Sequence, residues 1–323
     1  MRSLTRVLTL GAACAFATAL PAQTFPAGKP VRIIAPFGPG STIDIMGRLL
    51  SPKLNEALGT PVIVENRPGA GGAIGMDAAA KAAPDGHTLA IGALGPLAMN
   101  PVLYPKTPFD PVKDFAAVSL LATGPVAIVV HPSIPAKTIR ELVALAKAKP
   151  GQLNYGSPGV GSSPHLTGEL FKLETGTNLV HVPYKGNAEA LTDLIGGQVS
   201  IVFSGVPPVV PLVKAGKLRA LATTGKTRNA SLPEAPTIAE AGLKGAEVLI
   251  WYGVVAPAAT SKDIIARLNR DIVKAMATPD LKEKFLQQGV DPETSTPEQF
   301  AQLIRDEHAR WTKVIRTAGI KVE

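Results

Sequence analysis

The stretch that decides the fold is VRIIAPFGPGSTIDIMGRLL, residues 31–50. Its first five residues form a short apolar run, broken only by Arg32, as in a parallel strand that is covered on both faces. The prolines and glycines of residues 36–40 cannot continue a strand and favour a tight turn. Ser41 followed by Asp44 matches a capping box, and apolar residues then recur with helical spacing. The stretch therefore predicts a buried strand, a turn and an amphipathic helix.

This predicted turn has the properties of an anion site that needs no lysine or arginine. The first turn of a helix leaves several backbone N–H groups unpaired and carries about half a positive charge. When such a helix starts beyond the carboxyl end of a strand, these groups can bind an anion. The same pattern is also typical of an ordinary capped helix in an α/β sheet, so the stretch alone leaves both interpretations open.

A second stretch, SPGVGSSPH at residues 157–165, repeats the pattern. It follows a predicted strand at 153–156, and we expect Ser163 to cap a helix that has Pro164 at its first position. Both turns should lie at the carboxyl ends of their strands, where open α/β sheets bind ligands. A chain of 323 residues is long enough for two lobes, so the two turns predict a cleft between them.

Strands and helices alternate along the chain, which is the pattern of a largely parallel sheet. Asn187 is expected to cap the helix that ends at Ile195. Thr138 with Glu141, and the TPEQ of residues 296–299, are further capping boxes. The predicted strands are 31–35, 61–65, 88–92, 126–130, 153–156, 179–182, 199–203, 218–223 and 248–255.

Residues 1–22 are predicted to be a signal peptide, because Arg2 and Arg6 precede an apolar run that is too short to span a membrane. We expect cleavage after Ala22; lipid attachment at Cys14, the only cysteine, is the alternative. Without Cys14 the mature chain has no disulfide and no cysteine-based metal site. The net charge of +8 is scattered without a run of basic residues, which argues against nucleic-acid binding. The predicted product is an exported, soluble protein.

Many short motifs follow one another over nearly the whole mature chain. They are PFGPGSTID (36–44), VENRPGAGG (64–72) with IG (74–75), PDGHTL (84–89), HPS (131–133), LNYGS (153–157), GSSPHL (161–166), HVPYKG (181–186), GKLRALA (216–222), LPEAPT (232–237) and AP (256–257). In this order they resemble the Bug-type solute receptors, which are the periplasmic binding components of tripartite tricarboxylate transporters.

The resemblance implies an α/β, two-lobed periplasmic-binding-protein fold of the second type, with the ligand cleft between the lobes. Lobe 1 is expected to comprise residues 25–125 plus 226–323 and lobe 2 residues 126–225, joined by two crossings near 125–130 and 221–224. The implied function is that of a periplasmic receptor, not an enzyme, that binds a small carboxylate and delivers it to membrane transporter subunits. A monomer is expected, with no cofactor, no metal and no nucleic-acid partner.

The resemblance also implies that the carboxylate is held by the two turns, through backbone N–H groups, hydroxyls and ordered water. Ser41 stands where the family usually has a second glycine, which leaves the identity of the ligand open. The implied ligand-binding residues are Phe37, Gly38, Pro39, Gly40, Ser41, Thr42, Asp44, Ser157, Gly159, Gly161, Ser162, Ser163, His165, Lys185 and Ser204.

Several polar residues have two interpretations each. Asp44 either only caps its own helix or also meets a ligand ammonium group or ordered water. Asn66 either contacts the ligand or holds the turn before the next helix. Lys185, the only cation in a motif turn, either attracts the ligand or lies in solvent. His165 either donates a hydrogen bond to the ligand or packs at the helix start. Tyr252, in a strong strand, is expected to pack in the core or at a hinge.

Other chemistries have weaker support in the sequence. His165 and Glu169 have the spacing of a metal pair but lack two further ligands. A serine beside His165 lacks the third residue that orients a catalytic base. Residues 69–75 approach a dinucleotide fingerprint, but Ile74 stands where the third glycine is required. An enzyme acting on a small carboxylate, which would turn the ligand over, and a ligand-sensing domain, which the export signal argues against, are the alternatives to a receptor.

Overall fold

The structure, a computed structural model, describes residues 25–26, 28–104 and 106–318. The predicted signal peptide, with Cys14, lies outside the described residues. The strands are β1 Val31–Ala35, β2 Val62–Asn66, β3 Thr88–Ala93, β4 Phe115–Val130, β5 Asn154–Ser157, β6 Val180–Pro183, β7 Ile201–Gly205, β8 Arg219–Thr223, β9 Leu249–Pro257 and β10 Asp291–Pro292. The α-helices are α1 Thr42–Leu58, α2 Ala73–Ala80, α3 Asn100–Leu103, α4 Ile139–Ala148, α5 Ser163–Thr175, α6 Asn187–Ile195, α7 Val210–Lys214, α8 Lys262–Met276, α9 Pro279–Gln287 and α10 Pro297–Ala318.

One mixed sheet carries the fold, with the strand order β2-β1-β3-β9-β4-β7-β5-β6, and β8 and β10 pair with β4. β1 is parallel to β2 and β3, and β5 is parallel to β6 and β7. β4 and β9 run antiparallel to their neighbours and separate these two parallel groups. The alternating βα pattern of the sequence therefore appears as two parallel groups joined through one antiparallel pair.

The longest strand, β4, connects the two groups. Its residues 115–125 pair with β9, and its residues 126–130 pair with β7 and β8. The sequence predicted a strand only over 126–130, because Gly124 and Pro125 usually interrupt a strand. In the structure these two residues lie where β4 changes partners, so the first half of the strand was missed.

After β8 the chain returns from the second parallel group of strands to the first, and it does so next to β4. The Thr224 hydroxyl accepts a hydrogen bond from Val126 N–H at 2.8 Å and donates to the Val248 carbonyl at 2.6 Å. The segment between β8 and β9 touches both groups: Ser231 Oγ donates to the Leu286 carbonyl at 2.9 Å, whereas Gly245 packs against the side chain of Glu174 in α5.

Some predicted helix starts are confirmed. Ser41 caps α1, because its Oγ accepts the Asp44 N–H at 3.3 Å. Thr138 caps α4 in the same way, and Thr296 accepts the Gln299 N–H at 3.2 Å before α10. No helix in the described part of the chain is both long and apolar enough to cross a membrane.

Two predicted caps are wrong. α5 is capped by Ser162 and not by Ser163, because the Ser162 hydroxyl both accepts the His165 N–H and donates to the Gly159 carbonyl at 2.7 Å. Asn187 is the first residue of α6 and caps nothing, because its side-chain amide bonds to Ser204 instead.

Candidate functional site

The first turn, residues 38–44, carries the chain from β1 into α1. Ser41 N–H donates to the Gly38 carbonyl at 3.2 Å, and the Ser41 hydroxyl accepts the Asp44 N–H at 3.3 Å. The Asp44 carboxylate reaches back and accepts the Gly40 N–H at 2.9 Å. Gly40 has a left-handed backbone with φ of 74°, which favours glycine here.

The second turn, residues 159–165, repeats these contacts between β5 and α5. Ser162 N–H donates to the Gly159 carbonyl at 3.1 Å, and the Ser162 hydroxyl accepts the His165 N–H at 3.3 Å. His165 Nδ1 accepts the Gly161 N–H at 3.1 Å, and Gly161 has φ of 81°. Both turns therefore have the same local geometry, and each ends at the start of a helix with unpaired N–H groups.

A small cavity lies between the two turns. It offers about 30 Å³ to the centre of a water-sized sphere. Its two sides touch at the rim, where Gly38 N–H donates to the Lys185 carbonyl at 3.4 Å. The lining residues are Phe37, Ser41, Thr42, Ile43, Ala93, Pro96, Pro158, Ser163, Pro164, Asn187, Gly205, Ile250 and Tyr252.

One fully buried polar atom of this lining, Thr42 Oγ1, has no hydrogen bond of good geometry among the described residues. Thr42 as a whole is 5% exposed. Gly205 gives this hydroxyl its space, because a Cβ at Gly205 would overlap it. The Tyr252 hydroxyl lies beside the same glycine and next to the Thr42 hydroxyl; burial raises the pKa of Tyr252 more than the contact with Thr42 lowers it, so Tyr252 stays protonated. An unpaired buried hydroxyl costs about 1–3 kcal/mol, and a ligand that accepts its hydrogen bond removes this cost.

A buried pair fixes the Asn187 side chain at the same cavity. Asn187 Nδ2 donates to Ser204 Oγ at 2.6 Å, and Ser204 Oγ donates to the Gly205 carbonyl at 2.9 Å. Ser204 is fully buried and does not line the cavity. Its influence on a ligand would therefore pass through Asn187.

Asp44 lies behind the first turn in a network of its own. Its Oδ1 accepts hydrogen bonds from Arg48 Nε at 3.0 Å and from Asn66 Nδ2 at 2.9 Å. Burial acts to raise the pKa of Asp44, but the bonds from Arg48, Gly40 N–H and Asn66 outweigh it and lower the pKa. Asn66 also donates to the Phe37 carbonyl at 3.0 Å, so the structure places Asn66 as a support of the turn.

Two histidines lie behind the second turn. The rings of His165 and His181 are 4.2 Å apart, and His181 Nε2 lies 2.7 Å from Ser157 Oγ. Burial, with Lys172 nearby, lowers the pKa of His165 to about 4, and burial with His165 beside it lowers that of His181 to about 3. Both imidazoles are neutral at neutral pH, so His165 Nδ1 is an acceptor for Gly161 and not a donor to the cavity.

The structure brings only some of the predicted site residues to the cavity. Phe37, Ser41, Thr42 and Ser163 line it. Pro39 and Lys185 are exposed, and Lys185 contributes its backbone carbonyl to the rim contact. The remaining predicted residues form the turns or stand behind them: Gly38, Gly40, Asp44, Ser157, Gly159, Gly161, Ser162, His165 and Ser204.

Other lining residues were missed by reasoning from the sequence. Tyr252 was expected only in the core or at a hinge, and it reaches the cavity because β9 pairs with β3 and sets Tyr252 opposite Ala93. No local signal predicts that pairing. Asn187 was predicted as a cap, and its neighbour in space, Ser204, is 17 residues away. The missed lining residues are Ile43, Ala93, Pro96, Pro158, Pro164, Asn187, Gly205, Ile250 and Tyr252.

The cavity lining suits binding rather than bond breaking. None of its residues carries a formal charge at neutral pH, and neither Thr42 nor Ser163 has a basic side chain bonded to its hydroxyl. Among the described residues no group of three or more acidic, histidine or cysteine side chains is placed to share a metal ion. Attraction for an anion would come from the starts of α1 and α5 together with the hydroxyls.

Two parallel βα groups with a cavity between two helix starts are typical of solute-binding proteins. The chain belongs to the tripartite tricarboxylate transporter family of receptors, whose family model matches residues 46–320. This is a family of periplasmic substrate-binding receptors, not of enzymes. The resemblance expected from the motifs is confirmed.

Relatives and solved structures agree over most of the chain. Protein BugT of Bordetella pertussis is 39% identical over 97% of this chain and 96% of its own length. The structure of Rpa4515 of Rhodopseudomonas palustris with adipate is 36% identical, with a TM-score of 0.87 over 90% of this chain and 98% of that chain. MatC of Rhodopseudomonas palustris, with bound malate, is 32% identical, with a TM-score of 0.85 over 88% of this chain and 98% of that chain. The predicted α/β periplasmic-binding fold is thereby confirmed.

Proposed function

We propose that this protein is an exported, periplasmic receptor that binds a small carboxylate in the cavity between the two turns. It then delivers the carboxylate to a tripartite tricarboxylate-type membrane transporter. The observation that carries the proposal is the buried, unpartnered Thr42 hydroxyl at the start of α1, inside a cavity without formal charges. The malate and adipate in the two solved relatives support a small carboxylate as the ligand class.

The carboxylate would be held by dipoles and hydrogen bonds. Thr42 and Ser163 each open a helix, so their backbone N–H groups belong to the unpaired first turns of α1 and α5. The hydroxyls of Thr42 and Tyr252 lie together beside Gly205 and can both donate to one oxygen atom. These donors replace the lysine or arginine that a charged site would use.

We also propose that the protein works as a monomer with two lobes, residues 25–125 plus 226–323 and residues 126–225. The cavity offers only about 30 Å³ to the centre of a water-sized sphere, so we expect the lobes to move apart to admit a ligand. A ligand that touches both turns stabilises the closed state relative to the open one, and this difference would tell the transporter that the receptor is occupied. Positions 125–130 and 221–224, where the chain passes between the groups, would act as hinges.

Replacing Thr42 with valine tests the proposed site, with Thr260→Val as a matched control. Both threonine hydroxyls are buried and unpartnered, but only Thr42 lines the cavity. Calorimetry with a panel of small carboxylates should show that Thr42→Val weakens binding roughly ten- to hundredfold. Thr260→Val should leave affinity unchanged, because Thr260 lies outside both the cavity lining and the proposed hinges.

Two results would contradict the proposal. Equal affinity in the wild type and Thr42→Val would mean that the carboxylate does not contact this hydroxyl. A carboxylate that is chemically altered during incubation with the protein would favour the enzyme alternative. Recovery of the bound compound unchanged, measured by mass spectrometry, is the result expected of a receptor.

A further inference from the structure

The direction of one hydrogen bond limits what the cavity can accept. Ser204 has a single hydroxyl proton, which it donates to the Gly205 carbonyl at 2.9 Å. Its contact of 2.6 Å with Asn187 must therefore use a proton from the Asn187 amide nitrogen. This fixes the orientation of the amide and leaves Asn187 Oδ1 without a hydrogen-bond partner in the described part of the chain.

From this we infer that the ligand carries a hydroxyl group near its carboxylate and that Asn187 selects for it, so the ligand class is a small hydroxy monocarboxylate. The inference rests on the proposed function, because it names the ligand of the same cavity. Asn187 Oδ1 accepts hydrogen bonds and cannot donate them. A hydroxyl satisfies it, whereas a bare carbon chain leaves it buried and unpaired.

The other residues that line the cavity narrow the class of ligand further. A ligand ammonium group would also donate to Asn187, but no carboxylate lines the cavity to balance its charge. A second ligand carboxylate would have to share the two helix starts and the hydroxyls with the first, because no lysine, arginine or charged histidine lines the cavity. The side-chain walls are largely apolar, with Ile43, Ala93, Pro96 and Ile250 among them, which suits an apolar ligand body.

The test compares pairs of probes that differ only by one hydroxyl group. The pairs are lactate and propionate, 2-hydroxyisovalerate and isovalerate, and mandelate and phenylacetate, so that three sizes of ligand body are covered. Calorimetry on the full mature protein should show that the hydroxylated member of at least one pair binds roughly tenfold more tightly. Malate serves as a probe of the second carboxylate and should bind less tightly than the best hydroxy monocarboxylate.

Two variants test whether Asn187 causes the preference for the hydroxylated probe. Asn187→Leu keeps the shape of the side chain but removes the acceptor, and it should reduce the preference for the hydroxylated probe to about twofold or less. Ser204→Ala leaves Asn187 in place but removes the group that orients it, so the amide can also present its nitrogen and the preference should shrink. Asn178→Ala, at an exposed asparagine, is the control and should keep the tenfold preference.

Each outcome decides between the inference and the proposed function. If both members of every bound pair have equal affinity, or if Asn187→Leu keeps the preference, the inference is wrong while the receptor proposal stands. The inference also fails if malate binds more tightly than every monocarboxylate. If no probe, malate included, binds to the wild type, the proposed function fails together with the inference. If Asn187→Leu does not fold, Ser204→Ala gives the decisive comparison.

Discussion

The first turn and the second turn have one backbone geometry and two different chemistries. In each, a serine caps the helix, and the third helical residue reaches back to the N–H of a left-handed glycine. In the first turn that residue is Asp44, a charged carboxylate paired with Arg48 at the surface. In the second turn it is His165, a neutral imidazole buried against His181.

The comparison shows that the turn requires an acceptor at this position and leaves the rest to the surroundings. Arg48 and Asn66 supply partners that keep a carboxylate charged, whereas the buried ring of His181 suits a neutral acceptor. The two glycines, Gly40 and Gly161, also differ in how much room their surroundings leave for a side chain. The nearest heavy atom to a Cβ on Gly40 would be 3.7 Å away, whereas a Cβ on Gly161 would overlap Asn100 Oδ1 across the cleft.

The largest expected effect follows from this difference between the glycines. Both alanine substitutions force a left-handed backbone, but only Gly161→Ala adds a clash between the two sides of the cavity. Gly161→Ala should disfavour the closed state and weaken carboxylate binding roughly a hundredfold. Gly40→Ala should change affinity less than about threefold, since its strain is the same in open and closed states.

Calorimetry measures the two affinities, and small-angle scattering with ligand measures closure. Gly161→Ala should keep a larger radius of gyration than Gly40→Ala under the same conditions. Equal losses of affinity in the two variants would show that the second turn does not press against Asn100 in the bound state.

The next effect concerns the charge of the first turn. Asp44→Asn keeps the shape but removes the carboxylate that Arg48, Asn66 and the Gly40 N–H all contact. Hydrogen bonds to a charged group are worth about 1.5–3 kcal/mol, so the free energy of unfolding should fall by about 2 kcal/mol. Urea denaturation measures this change. Asp306→Asn, at an exposed carboxylate, is the control, and an equal loss there would remove the case for a network.

A further difference between the turns is their response to pH. Burial lowers the pKa of His165 to about 4 in the folded state, below the usual 6.5, so the unfolded chain binds more protons between these values. The free energy of unfolding should therefore fall as pH drops from about 6.5 to 4, by at most about 1.4 kcal/mol per pH unit for one histidine. His181, whose pKa is lowered to about 3, acts in the same direction. Asp44 acts only below its usual 3.8, because its pKa is lowered too.

Denaturation curves from pH 4.5 to 7.5 check this prediction. His165→Gln, which removes one titrating group, should flatten the slope in that range. Asp44→Asn should shift the whole curve but keep the slope, because its contribution lies at lower pH. A slope that His165→Gln leaves unchanged would show that the buried imidazole does not titrate as its surroundings indicate.

The sequence predicts a feature well when the residues that form it lie close together in the chain. Ser41 and Asp44 lie three residues apart, so the start of α1 was predicted correctly. Ser162 and Ser163 fit a cap equally well by sequence, and the contact of Ser162 with the Gly159 carbonyl decides between them. Tyr252 reaches the cavity only through the pairing of β9 with β3, which no short stretch of sequence encodes.

The smallest expected effect concerns Lys185, a cation at the rim between the turns. Its backbone carbonyl accepts from Gly38 N–H, but its side chain is exposed and lines no part of the cavity. At about 0.15 M salt an exposed charge is screened over roughly 8 Å, and a surface ion pair is worth about 0–1 kcal/mol. Lys185→Ala should therefore change carboxylate affinity less than about twofold, as should Lys147→Ala on the exposed side of α4.

A tenfold loss in Lys185→Ala alone, shrinking as salt is added, would show that a cation attracts the ligand. The second turn would then bind the anion with the help of a charged side chain, and not by its helix start and hydroxyls alone.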